Sequence, residues 1–201
     1  MLTFNPENHE YRFNGTVVPS VTTVLKSVGI PDLSFVDRNV LEKACAFGTS
    51  VHLACELWDK GTLDETDLDV ELVPMLMQWK RLKNSVFDTH GEPDIVLNEI
   101  PLYSTRYRFA GTLDRGYLYV KTGTLVILDL KTGITAKQAP IQTSAYVELV
   151  KENSDVHVRK VIRYTAHILH DSEVGKLEEH KNPSDFYLFQ SALNIYRFKN
   201  S

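Results

Sequence analysis

Two carboxylates and a lysine in the middle of the chain are the residues best suited to chemistry. Asp114 closes the run Gly111-Thr112-Leu113-Asp114, and Asp129 and Lys131 lie in Leu128-Asp129-Leu130-Lys131-Thr132-Gly133. Between the two runs stand Arg115-Gly116-Tyr117-Leu118-Tyr119-Val120 and the turn residues Lys121-Thr122-Gly123, a pattern that predicts two strands joined by a tight hairpin connection. Side chains alternate along a strand, so Asp129 and Lys131 share a face. Paired carboxylates suit a hard divalent cation, which takes oxygen ligands. A neighbouring ammonium suits the charge that develops when water attacks a phosphodiester.

The elements that must position these groups can be read from apolar periodicity and turn residues. Tyr11 to Val18 predicts a short strand pair turning at Asn14-Gly15. Ser20 is placed to cap a helix over 21–28, ended by Gly29 and Pro31. A long helical stretch over 34–58 is expected to break near Gly48, restart with Thr49 as its cap and stop at Gly61. A third helix over 70–86 places Leu72, Met75, Leu76, Trp79 and Leu82 on one face, with Pro74 in its first turns. The pattern then becomes strand-like over 95–103, 107–120 and 125–130, helical over 139–151, and β-branched over 158–169. Asn182-Pro183 opens a final amphipathic helix burying Phe186, Phe189, Leu193 and Tyr196. This order predicts a single α/β domain spanning the chain, with a central mixed β-sheet flanked by helices.

Composition sets bounds. A length of 201 residues suits one domain with a sizeable core. No apolar run approaches the ~20 residues that span a bilayer, and the first residues lack a tripartite export signal. No membrane association and a cytoplasmic location are the resulting expectations. Cys45 and Cys55 fall on expected helices and read as reduced core residues. The net charge of −4 argues weakly against a broad non-specific nucleic-acid surface, but a bound metal brings its own positive charge. The cations Arg106, Arg108, Arg115, Lys121, Lys131 and Lys137 gather near the motif in sequence, and Arg159, Lys160 and Arg163 follow. His9, His90, His157, His167, His170 and His180 show no ligand spacing tied to it and read as structural or surface residues.

Gly111-x-x-Asp114 followed by Asp129-x-Lys131 resembles the PD-(D/E)XK nuclease superfamily. Two further motifs resemble its RecB-like branch: Gly48-Thr49-x-x-His52-x-x-x-Glu56 upstream, and Gln142-x-x-x-Tyr146 on the helix downstream. Pro19-Ser20-Val21-Thr22 and the aromatic last helix are similar to the flanks of small phage-type exonucleases of that branch. Leu113 stands where the superfamily's proline is usual. The resemblance implies a restriction-endonuclease-like core and Mg²⁺ or Mn²⁺ bound by Asp114, Asp129, His52 and the backbone carbonyl of Leu130. It makes Asp114, Asp129 and Lys131 the catalytic set, with Lys131 orienting or helping to deprotonate the attacking water.

Supporting roles fall to four other residues. Gln142 and Tyr146 share a helical face and are placed to hold Lys131 or touch the DNA backbone. Glu99, on the strand before Asp114, suits a second metal or a pairing with an arginine. Glu56 shares the face of His52 and suits an ion pair or indirect support. The function so implied is a metal-dependent DNA nuclease, an exonuclease acting at single- or double-stranded DNA ends in phage or phage-derived DNA processing. Tyr103, Tyr107 and Tyr117 are candidates to stack on unpaired bases, and the partners in view are DNA, a second copy of the chain or a recombination protein. The alternatives are a catalytically silent nucleic-acid or protein binding module on the same fold, and a restriction-type endonuclease.

Overall fold

The computed structural model describes residues 1–132 and 137–201. Gly133, at the end of the Asp-x-Lys motif, lies outside the described residues. The chain opens with three short strands, β1 (Leu2–Asn5), β2 (Glu10–Phe13) and β3 (Thr16–Val18), paired antiparallel. The predicted turn at Asn14-Gly15 joins β2 to β3, with both residues at positive φ (50° and 81°). Three helices follow: α1 (Val21–Ser27), α2 (Arg38–Asp59) and α3 (Val73–His90). Next come β4 (Ile95–Ser104), β5 (Phe109–Tyr119), β6 (Thr124–Thr132), α4 (Ala139–Asn153), β7 (Lys160–Ile168), β8 (Lys176–Glu179) and α5 (Asp185–Lys199).

The second sheet has the order β4-β5-β6-β7-β8. All its neighbours are antiparallel except β6 and β7, which run parallel because α4 carries the chain back between them. Helices cover both faces. Leu125 and Ile127 of β6 pack with Val24 and Leu25 of α1, Leu149 of α4 and Phe189 of α5. Val126, Leu128 and Leu130 pack with Val51 of α2 and Met75 and Trp79 of α3. Burial on both sides is why β6 reads as a continuous apolar run up to Asp129. The chain is therefore an α/β domain with a central mixed sheet flanked by helices, as expected.

Several local expectations need correction. The long helix does not break at Gly48, and α2 is continuous from Arg38 to Asp59. Its cap is Asp37, whose carboxylate accepts from the amides of Asn39 and Val40, while the Thr49 hydroxyl donates to the Cys45 carbonyl within the helix. Gly48 is there for clearance: a Cβ on it would lie 3.0 Å from Thr132 Oγ1. α3 runs past Val86 to His90 and ends at Gly91, which has φ of 82°. The last helix begins at Asp185, three residues after Asn182. In α5, Phe189 and Leu193 are buried, whereas Phe186 and Tyr196 are only partly so. β1 and β8 were not anticipated, and β8 (Lys-Leu-Glu-Glu) carries the charge typical of an edge strand.

Candidate functional site

An irregularity in two adjacent strands creates the site. Along β5, Gly111 lies against Tyr146 and Leu149 of α4, and Leu113 joins the same core. Arg115 and Tyr117, in the same sequence phase, instead face α2 and α3. The alternation therefore reverses across Asp114. Opposite it, between the pairs Asn98↔Arg115 and Ile100↔Leu113, Glu99 has φ of 49°, a conformation that disfavours a side chain bearing Cβ. The pairing of β5 with β6 ends at Arg115↔Leu128. Beyond that point the Leu130 amide donates to Asp114 Oδ2 at 2.7 Å. Two acids thus stand where the sheet opens.

α2 brings His52 to the opening, with Nδ1 3.8 Å from Asp114 Oδ2. His52, Glu99 and Asp114 each offer one ligand atom, all within 4.8 Å of one another. The convergent set differs in one member from the one the resemblance implied: Glu99 stands with His52 and Asp114, while Asp129 is paired to Lys131, with Nζ 2.7 Å from Oδ2. Asp129 Oδ1 is buried and accepts no hydrogen bond from any described residue. A nitrogen and two carboxylates in reach of one point, beside an undersatisfied buried carboxylate, are a donor set that fits Mg²⁺ or Mn²⁺. The Leu130 backbone lies within hydrogen-bonding reach of His52, which places its carbonyl at the same edge of the site.

The electrostatics agree with that fit. Burial pushes the Glu99 carboxyl up to about 7, and Asp114 adds to the effect. Burial likewise pushes Asp129 up to about 7, against the attraction of Lys131. Burial lowers His52 despite Asp114 and so keeps the imidazole neutral, the form that ligates. Lys131 goes the other way: burial opposes its charge, but Asp129 and Asp114 outweigh it and raise its pKa.

The support residues fall close by. Gln142 Nε2 donates to the Tyr146 hydroxyl at 2.8 Å, and both are buried. Asp129 and Asp114 are near enough to raise the pKa of Tyr146, after burial itself. Glu56 forms an i,i+4 ion pair with Lys60 and acts on Glu99 only through space. A cleft of about 690 Å³ runs over the site, lined by His52, Glu99, Asp114, Lys131, Gln142 and Tyr146.

Other placements were not legible in the sequence. Tyr117 is fully buried against Phe87, Tyr103 stacks on Phe13 with ring centroids 4.0 Å apart, and Tyr107 packs against Phe186. None of the three lines the cleft. Its aromatic wall is Phe4, His9 and Tyr11 of the first sheet, with the Tyr11 hydroxyl 2.7 Å from Thr112 Oγ1. Cys45, expected in the core, is exposed and borders the cleft, while Cys55 is buried. The sequence cluster of cations disperses: Arg115 and Arg163 are buried in ion pairs with Asp59 and Asp185, and Lys121 sits in the turn at the far end of β5 and β6. Among the described residues, no helix is long and apolar enough to cross a membrane.

No family model and no curated protein sequence matches the chain. Among solved structures it is similar to the crystal structure of a proposed exonuclease from Eubacterium rectale, with a TM-score of 0.52 and 11% identity. The match covers 76% of this chain and 65% of that one, so the likeness is one of fold alone and this chain spans about two thirds of that protein's length.

Proposed function

We propose that this chain is a metal-dependent DNA nuclease, an exonuclease that hydrolyses phosphodiester bonds at DNA ends in phage or phage-derived DNA processing. The observation that carries the reading is the meeting of His52, Glu99 and Asp114 within 4.8 Å beside the Lys131–Asp129 pair on one cleft. His52, Glu99, Asp114 and Asp129 would hold Mg²⁺ or Mn²⁺, with the Leu130 carbonyl as a further oxygen. Such an ion supplies Lewis acidity toward a phosphoryl oxygen and lowers the pKa of water.

The remaining work falls to the chain's own groups. Lys131 is held protonated by Asp129 and Asp114, so its role is that of a cation. It orients the attacking water and offsets charge on the phosphorane-like transition state, and does not serve as a base. Gln142 and Tyr146 fix each other beneath the cleft and leave little freedom to the groups above them. Recognition rests on phosphate contacts and on the geometry of the strand end rather than on base readout.

The reading is tested with end-labelled linear DNA and covalently closed circles, in Mg²⁺, in Mn²⁺ and in excess chelator. Degradation of the linear substrate only with added metal is expected. Robust cutting in chelator overturns the metal mechanism. Equal cutting of circles replaces the exonuclease with an endonuclease, and binding without cutting in every metal leaves the silent module.

A further inference from the structure

We propose that Arg115 is a positioning residue that holds Glu99, and with it His52 and Asp114, at coordination distance; the proposal rests on the metal-dependent reading above. The three convergent side chains come from three elements, α2, β4 and β5, and one guanidinium touches all three. Arg115 Nε donates to Asp59 Oδ2 of α2 at 2.5 Å. Its Nη1 donates to Glu99 Oε1 of β4 at 3.0 Å and to the Asp114 carbonyl of β5 at 2.6 Å. Asp59 lies two helical turns beyond His52 on the same helix and the same face, so fixing Asp59 to β5 sets the distance between His52 and Asp114.

The clamp is itself anchored. Asp59 also accepts from Lys83 Nζ at 2.8 Å and from Trp79 Nε1 at 3.2 and 3.3 Å, and the Arg115 guanidinium lies 5.2 Å from the centroid of the Trp79 ring. Glu99 needs such a hold, because its left-handed backbone would otherwise relax toward the extended form and swing the carboxylate away. Arg115 takes Oε1 and leaves Oε2 as the oxygen for a cation. Only a planar fork can serve Asp59, Glu99 and a carbonyl at once; an ammonium is a point donor. At 2% exposure, and absent from the cleft lining, Arg115 acts through these residues and not on substrate.

A purely structural ion-pair network would share most of these contacts, so the test must separate geometry from stability. Mn²⁺ is titrated calorimetrically into the wild-type chain, Arg115→Lys, Glu99→Gln and the double variant, with thermal unfolding in chelator alongside. Arg115→Lys keeps the charge and loses the fork, and is expected to weaken Mn²⁺ binding by about 10–100-fold. In the Glu99→Gln background the same change is expected to cost about threefold or less, because the main group it positions is gone. Additive losses, or unchanged affinity with only a lower melting temperature, assign Arg115 to fold stability and overturn the proposal. Should Arg115→Lys fail to fold, Asp59→Asn loosens the same clamp from its other end and is run through the same cycle with the same criteria. Absence of Mn²⁺ binding by the wild-type chain overturns the nuclease reading together with this one, whereas binding with additive losses overturns this one alone.

Discussion

Glu99 illustrates what bringing together groups that could hold a metal asks of a fold. Its carboxyl is pushed from 4.5 up to about 7, chiefly by burial and then by Asp114, even with Arg115 in contact. A carboxyl raised on folding destabilises the native state once ionised. That destabilisation is absent below the unfolded value near 4.5, grows as pH rises, and is complete above about 7. Glu99→Gln should therefore raise the melting temperature at pH 8 in chelator by several degrees, at about 2–4 °C per kcal/mol for a chain of this size, and change it little near pH 4.5. Calorimetric scans at the two pH values check this; equal melting temperatures at pH 8 would show that Glu99 is not under strain. A second pair of variants separates cation from ligand. Lys131→Ala should reduce turnover by about 10²–10³ while leaving Mn²⁺ affinity largely intact, because a protonated amine is not a ligand. Asp129→Ala should weaken Mn²⁺ binding as well. Near-normal turnover by Lys131→Ala at saturating metal would remove the role given to that residue.

At the scale of elements, two glycines in the motifs have a steric reason. Gly111 lets β5 approach α4 and α1 closely: a Cβ there would lie 3.0 Å from Tyr146 Cε1, 3.1 Å from Val21 Cγ2 and 3.2 Å from Leu149 Cδ1. All three neighbours are buried, so none can yield cheaply. Gly111→Ala should destabilise the chain by about 1–3 kcal/mol and shift Tyr146 against Gln142. Unfolding in urea measures the first effect, and an unchanged midpoint would refute the packing argument. Gly48 plays a lesser part between α2 and the end of β6, where a Cβ would lie 3.0 Å from Thr132 Oγ1. That clearance, and not a helix break, is what the glycine before Thr49 provides. The parting of β5 from β6 after Arg115↔Leu128 is the other element-scale device, since it leaves the Leu130 amide for Asp114.

The whole molecule adds a wall to the cleft. The three-stranded sheet at the start of the chain docks on β4 and β5 through Tyr11, Tyr103 and Ala110, and so places Phe4, His9 and Tyr11 across the cleft from the acids. Tyr11 is buried and bonded to Thr112, which leaves Phe4 and the exposed His9 as the pair able to meet a bound strand. Phe4 and His9 stack edge to face with ring centroids 5.3 Å apart. Replacing both with alanine should raise KM for DNA severalfold, on the scale of one lost base–aromatic stack, with kcat and Mn²⁺ affinity nearly unchanged. An unaltered KM would show that DNA does not meet this wall.

What could be read without coordinates was whatever local pattern encodes. The continuous apolar run of β6, the 3.6-residue period of α3, the Ser20 cap and the Asn14-Gly15 turn each depend on neighbours a few residues apart, and each is found in place. The shared face of Asp129 and Lys131 follows from strand alternation and ends in their ion pair. Local pattern fails where the deciding contact is distant. The break expected at Gly48 does not occur because a single glycine costs a helix interior only about 1 kcal/mol, and the packing of Val51 and Cys55 against α3 and β6 outweighs it. Tyr117 reads like a stacking aromatic but is buried because the phase of β5 reverses at Asp114, and only the paired strand with Glu99 at positive φ reveals that reversal. Arg115 reads as one more cation near the motif; its place beneath the site depends on Asp59, 56 residues earlier. Side-chain type and spacing thus named the groups able to hold a cation and stabilise charge. Which of them meet at one point was decided by an irregular strand pair and a buried guanidinium, both products of long-range packing that no sequence period records.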